Sequence, residues 1–150
     1  MKNLRKNTTK LYKEESKMFS FVKSATNPNF PIIKQLPTTA STTYKIGDAL
    51  VLTDGGLTQA TGTTKPQFIC AENYVAPASG MKDISVYEIV DGQEWETTCA
   101  ADASDVKAGS KVTIHTDAAQ VTATTTGGVF MLLSAGGAVG AKVVGKLGNC

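Results

Sequence analysis

Three strings punctuate this chain in the same way: GDALVL from Gly47, GSKVTI from Gly109 and GAKVVG from Gly140. Each follows a polar or glycine-rich stretch and runs into apolar residues. Glycine tolerates the left-handed backbone of a sharp turn, so glycine here lets the chain reverse just before it enters a sheet. A phosphate-cradling glycine loop would need a helix behind it, and no helical period follows any of the three. The strings therefore read as strand starters. Gly47 and Gly109 each lead into a strand, an acidic turn (Asp54, Asp117) and a second strand, which suggests two similar halves around one core.

The same grammar holds from Tyr44 onward. ALVLT and LTQAT flank Asp54-Gly55, where positive φ costs little, and predict a hairpin. DISVYEIV and QEWETTC flank Asp91-Gly92 and predict a second; KVTIHT and QVTATT flank Asp117 and predict a third. PQFICAENYVA, GVFMLLS and AKVVGKL supply further strands. The total is about nine short strands at intervals of about 8–12 residues, the spacing of an all-β sandwich or barrel. Composition agrees. Charged residues make up only 19%, and threonine and glycine take their place, the first suited to a pleated surface and the second to turns. Val112 and Ile114 alternate with Lys111, Thr113 and His115, as in a strand with one buried face. DISVYEIV alternates less cleanly: Ile84, Val86 and Val90 share one parity, Tyr87 and Ile89 the other. Either a bulge lies near Glu88 or both faces are covered. The expected fold is a compact antiparallel β-barrel or sandwich over residues 44–150, preceded by an extended N-terminal arm over residues 1–43.

That arm has two parts. Residues 1–17 hold six basic and two acidic groups, against nine basic and eleven acidic in the rest, so a basic arm precedes a mildly acidic body. Residues 18–43 carry Pro28, Pro31 and Pro37, and proline blocks helix and central strand alike. This stretch reads as a strap crossing a surface. Phe19, Phe21, Phe30, Ile32 and Ile33 are too apolar for a free linker. They are covered either by the protein's own body or by a partner, and they are the expected contact residues. Removing residues 1–36 is then expected to abolish partner binding and leave the body folded. No run approaches the ~18 apolar residues of a membrane helix, and the basic start lacks a signal-peptide core, so no membrane partner is expected. Cys70, Cys99 and Cys150 form no CxxC pair and are odd in number, which fits reduced thiols better than a disulfide framework.

No reaction chemistry stands out, and no cofactor is implied. His115 is the only histidine; it lies on a polar strand face without a serine elbow, and with scattered cysteines it makes no metal-ligand spacing. Glu88, Asp91, Glu94 and Glu96 cluster around the second hairpin, and Glu94 and Glu96 share a strand face. Paired carboxylates could hydrolyse a glycoside, but a solvated edge that discourages stray strand pairing is the simpler reading. Lys82 in SGMKD lacks the flanking residues of a biotin- or lipoyl-carrying lysine. Trp95 stands between Glu94 and Glu96 in an acidic body, the opposite of the basic, aromatic surface that nucleic acid needs. It reads as core or as an anchor for a neighbouring subunit.

YKIGDALVLTDGGLTQATGTTKPQFICAEN resembles the opening of the small proteins that decorate the heads of tailed bacteriophages, also called capsid cement proteins. The shared features are the glycine-led strand at Gly47-Asp48, the hairpin at Asp54-Gly55-Gly56 and the turn from Thr61 to Pro66. VTATTTGGVFMLLSAGGAVGAKVVGKL resembles their last hairpins. The likeness spans about residues 44–147, and its motifs are turn patterns, not a catalytic signature. It implies a non-enzymatic virion protein on the outer capsid surface, synthesised in the host cytoplasm, with the major capsid protein and itself, as a homotrimer, for partners. Two other roles fit the composition: a head fibre or spike base, and a carbohydrate-binding or hydrolytic β-domain.

Overall fold

A computed structural model describes residues 17–24 and 31–148. The rest of the arm, with Pro28, Phe30 and the basic groups before Lys17, lies outside the described residues, as does Cys150. The protein is all-β, with twelve strands and no helix among the described residues. In chain order they are β1 (Ser20–Ser24), β2 (Ile33–Leu36), β3 (Thr43–Tyr44), β4 (Ala49–Thr53), β5 (Gly56–Gln59) and β6 (Phe68–Cys70). Then follow β7 (Tyr74–Val75), β8 (Ile84–Glu88), β9 (Gln93–Thr98), β10 (Lys111–Val112), β11 (Phe130–Leu132) and β12 (Lys142–Lys146).

The strands form three layers. One sheet has the order β1-β9-β12-β11-β10, the next β2-β8-β6-β4-β5, and β3 with β7 makes a small ribbon. All the ladders are antiparallel. Phe19, Trp95, Val112, Phe130, Leu132 and Val143 of the first sheet bury against Ala49 and Ile69 of the second. On the far side of the second sheet, Leu50, Leu57, Cys70, Ile84 and Val86 bury against Tyr44 and Ala76. The second sheet is therefore covered on both faces. This resolves the mixed parity of DISVYEIV: Ile84 and Val86 face the ribbon, while Tyr87 and Ile89 face the first sheet. The ladder through Glu88 is regular, without a bulge.

The three glycine-led strings share one geometry. Gly47, Gly109 and Gly140 have φ of 90°, 89° and 85°. In each, the residue after the glycine closes a four-residue turn: Asp48 N–H to Lys45 O at 3.0 Å, Ser110 to Lys107 at 3.2 Å, Ala141 to Ala138 at 2.9 Å. Positive φ at the third position marks a type II turn. The glycine N–H then reaches a carbonyl on the facing strand, at Cys70, Leu132 and Cys99 respectively. The N–H of that same facing residue returns to the carbonyl of the residue after the glycine. Two residues thus oppose one, with glycine in the left-handed position, which is a G1 bulge. For two of the turns the likeness extends further: β4 pairs with β6 through Ala49 opposite Ile69 and Leu50 opposite Phe68, and β10 pairs with β11 through Lys111 opposite Met131 and Val112 opposite Phe130. The stretches that follow Gly47 and Gly109 thus share a register, one in each large sheet.

The first expected hairpin forms: Asp54 (φ 50°) and Gly55 (φ 87°) join β4 to β5, with Thr53 opposite Gly56. The second does not. β8 already has β2 and β6 on its two sides, so β9 finds no free edge there and crosses to the first sheet. Asp91-Gly92 is the crossover turn, with Gly92 at φ 86°. The Gln93 side chain fastens it by accepting from Val90 N–H at 2.9 Å and donating to Glu88 O at 3.2 Å. The third is a narrow ladder: Ile114 bridges Val121, and the Asp117 carboxylate caps the N–H groups of Ala119 and Gln120. The strand count exceeds nine chiefly because β1, β2 and β3 come from the stretch read as a strap. Among its described residues, β1 and β2 are end strands of the two large sheets and β3 is half of the ribbon.

Backbone strain and local space make separable predictions at the three turns. An alanine at φ near +90° costs about 1–2 kcal/mol, and nothing lies within 4 Å of a Cβ at Gly109 or Gly140. A Cβ at Gly47 would also collide with Met18. In urea unfolding, Gly109→Ala and Gly140→Ala are expected to lower stability by that backbone cost, and Gly47→Ala by clearly more.

Candidate functional site

The two sheets end side by side at β1 and β2, and their edges do not close against each other. Phe19 N–H donates to Gly47 O at 3.0 Å, which lays the start of β1 along the first glycine turn. Phe21 pairs with Trp95 across the ladder, ring centroids 5.5 Å apart and edge-to-face. Trp95 in turn meets the ring of Tyr87 at 6.5 Å. Ile33 is the cross-strand neighbour of Tyr87 on β2. A row of apolar side chains thus runs from core to surface, ending in Ile33 at 60% exposure. Between Met18, Phe21, Ile33, Ile46, Tyr87 and Trp95 lies a hollow of about 430 Å³. Its mouth carries exposed Ile33 and Ile46. Contiguous exposed apolar surface of this kind marks contact sites more often than chance.

Of the residues expected to make contacts, the structure brings Phe21 and Ile33 into the hollow. Ile32 is 52% exposed on the same edge. Phe19 also lines the hollow but from its floor: at 1% exposure, with its ring edge-to-face on Phe130 at 5.8 Å, it belongs to the core cluster. Phe30 lies outside the described residues. Ile46, Tyr87 and Trp95 join the site without having been picked out for it. Ile46 had a signal, an isoleucine at the second position of a turn where a solvated side chain is usual.

Two ionisable groups sit beside the hollow. Asp48, buried in the first glycine turn, accepts from Lys45 N–H at 3.0 Å. Burial pushes its carboxyl up to about 6, against the pull of that hydrogen bond and of the Lys45 charge. Cys70, which lines the hollow, is a free buried thiol pushed up to about 11, again chiefly by burial, and its Sγ lies 3.0 Å from Glu72 O. It is protonated at neutral pH and a poor nucleophile.

The acidic cluster resolves into cross-strand pairs. Glu88 meets Lys34 at 3.1 Å, Glu94 meets Lys23 at 3.6 Å and Glu96 meets Lys142 at 3.7 Å. Glu94 and Glu96 do share the outer face of β9, but β9 lies between β1 and β12 and is no edge. Lys82 is tethered, 3.2 Å from Glu72 and 5.1 Å above the Tyr74 ring. The Glu72 carboxyl is held below its ordinary range, first by the Ser85 N–H and then by Lys82. Trp95 is core, as one of its two readings had it. Among the described residues no three His, Cys, Asp or Glu side chains gather to hold a metal ion, and no helix is long and apolar enough to cross a membrane. Comparison with protein-family models, curated proteins and solved structures found no match.

Two predictions follow from these contacts. Deleting residues 1–36 removes two strands and the buried Phe19, so the remainder is expected to lose cooperative unfolding, contrary to the strap reading; far- and near-ultraviolet circular dichroism reads this. Asp48 has a folded pKa above its ordinary 3.8. Its contribution to stability is therefore full below about pH 4 and lost as pH rises through about 6. Two units correspond to about 3 kcal/mol. Asp48→Asn keeps the acceptor for Lys45 N–H and removes the titration, so the stability difference between variant and wild type is expected to grow in the variant's favour from pH 4 to 7. Parallel pH profiles would refute the assignment.

Proposed function

We propose that this protein is a structural virion component that binds the outside of a phage capsid and stabilises contacts between major capsid subunits. The observation that carries the reading is the turn pattern of residues 44–147, which resembles head-decoration proteins. The hollow supports it, because it offers a partner an apolar socket at the edge of a rigid sandwich. A socket made by strands loses little side-chain freedom when it is filled, so modest contacts retain their value. On a shell, one weak contact is repeated at every equivalent position, and a copy that straddles a joint must be released before the joint can open. Assembly of the protein with itself as a trimer over a symmetry axis would add avidity without new capsid contacts. The lysine partners of Glu88, Glu94 and Glu96 make the hydrolytic alternative the weaker one, since each carboxylate already has a charge partner.

The test is co-sedimentation of the purified full-length chain with undecorated phage heads. Saturable binding at a fixed number of copies per hexamer is expected, with heads that survive heating better when coated. Ile32→Asp, exposed and on the β2 side, is expected to weaken binding about tenfold by placing a charge against an apolar contact. Absence of binding to bare heads, or binding that never saturates, would overturn the reading.

A further inference from the structure

The hollow has a backbone edge and a charged rim, and together they specify what fits it. Glu88 N–H donates to Ile32 O at 2.8 Å. In an antiparallel ladder the bonding direction alternates along the strand. The N–H and C=O groups of Ile32 and Lys34 therefore point to β8, and those of Ile33 and Gln35 point away from it. β2 is the end strand of its sheet, so these groups present a row on which another strand can pair.

The rim is basic. Lys17 precedes Met18 and Lys45 precedes Ile46, both lining residues, and both lysines are exposed. Among the described residues the ion pairs use Lys23, Lys34, Lys82 and Lys142, and neither Lys17 nor Lys45. Asp48 is near enough to Lys45 to feel its charge, but it is buried and holds the Lys45 N–H. Glu88 and Glu94, the sequence neighbours of the lining residues Tyr87 and Trp95, are already paired with Lys34 and Lys23. What the mouth offers is an apolar socket with two exposed lysines beside it that make no ion pair among the described residues.

We propose that the hollow is a docking site for an extended acidic segment of a partner protein. Such a segment pairs its backbone with Ile33 and Gln35, inserts one large apolar side chain between Phe21, Ile33 and Tyr87, and sets its flanking carboxylates against Lys17 and Lys45. This is strand addition, in which main-chain hydrogen bonds give affinity and the pocket gives choice of side chain. The charges add selectivity and speed of encounter more than affinity. The site deepens the attachment reading and rests on it for its biological setting.

The probe is an amidated peptide, Glu-Phe-Glu-Val-Glu-Phe-Glu, compared with its counterpart carrying lysine at every glutamate. Titration against the full chain is expected to show the acidic peptide binding at least about tenfold more tightly at low salt. Amide exchange at Ile33 and Gln35 is expected to slow on binding. Ile33→Asp, at an exposed position, is expected to weaken the acidic peptide about tenfold, and Leu52→Asp, exposed on β4 outside the hollow, to leave it unchanged. The double variant Lys17→Glu, Lys45→Glu is expected to reverse the preference toward the basic peptide. Equal affinity for the two peptides, a preference that survives the charge reversal, or no binding at all would overturn the proposal. If peptides fail while heads are still bound, this site is wrong and attachment stands; if peptides bind as described and heads do not, attachment to a capsid is wrong and the site stands.

Discussion

The sandwich depends on a backbone device repeated at three strand entries. A glycine at positive φ turns its N–H toward a facing carbonyl while the next residue's carbonyl receives the N–H from the same place. No residue with a Cβ does this without strain. The device satisfies the polar groups of a turn and bends the chain into register in one step. It occurs before β4, β10 and β12, that is, in both large sheets. Register then fixes which side chains face inward. At the first of these turns glycine does more: the missing Cβ leaves room for Met18, and so seats β1 and, through it, one wall of the hollow.

How legible was this in the sequence? The three turns could be read because glycine placement has a local cause. So could Asp54-Gly55, whose two positive-φ residues leave little but a tight hairpin. The covered second sheet was half legible: the mixed parity of Ile84, Val86, Tyr87 and Ile89 demanded a bulge or two buried faces, and sequence could not choose. The crossover at Asp91-Gly92 was not legible. Its local signals are those of a hairpin, and only the occupation of both sides of β8 by β2 and β6 prevents one. That is a long-range fact. The N-terminal stretch misled for a related reason. Prolines argued against a central strand, and β1 and β2 are edge strands, where proline at a strand's flank is tolerated.

The site shows the same division. Ile33 and Phe21 were visible as apolar residues in a poor setting for them. Phe19 looked identical in sequence yet is buried on Phe130, because β1 enters the sandwich just where the turn at Gly47 opens a place for it. Tyr87 and Trp95 could not be assigned to a surface hollow from sequence, since each also belongs to the core cluster. The hollow is the place where the core reaches the outside, so its deeper residues carry core signatures.

The order of strands in the first sheet has a consequence for how the chain is made. β12, the last described strand, lies between β9 and β11, and β1 waits on the far side of β9. The second sheet needs nothing beyond β8 to assemble. During synthesis the second sheet can therefore close early, while its partner layer stays open until β12 has left the ribosome. In that interval Trp95, Phe130 and Phe21 are uncovered together, and the nascent protein is at its stickiest just before β12 emerges.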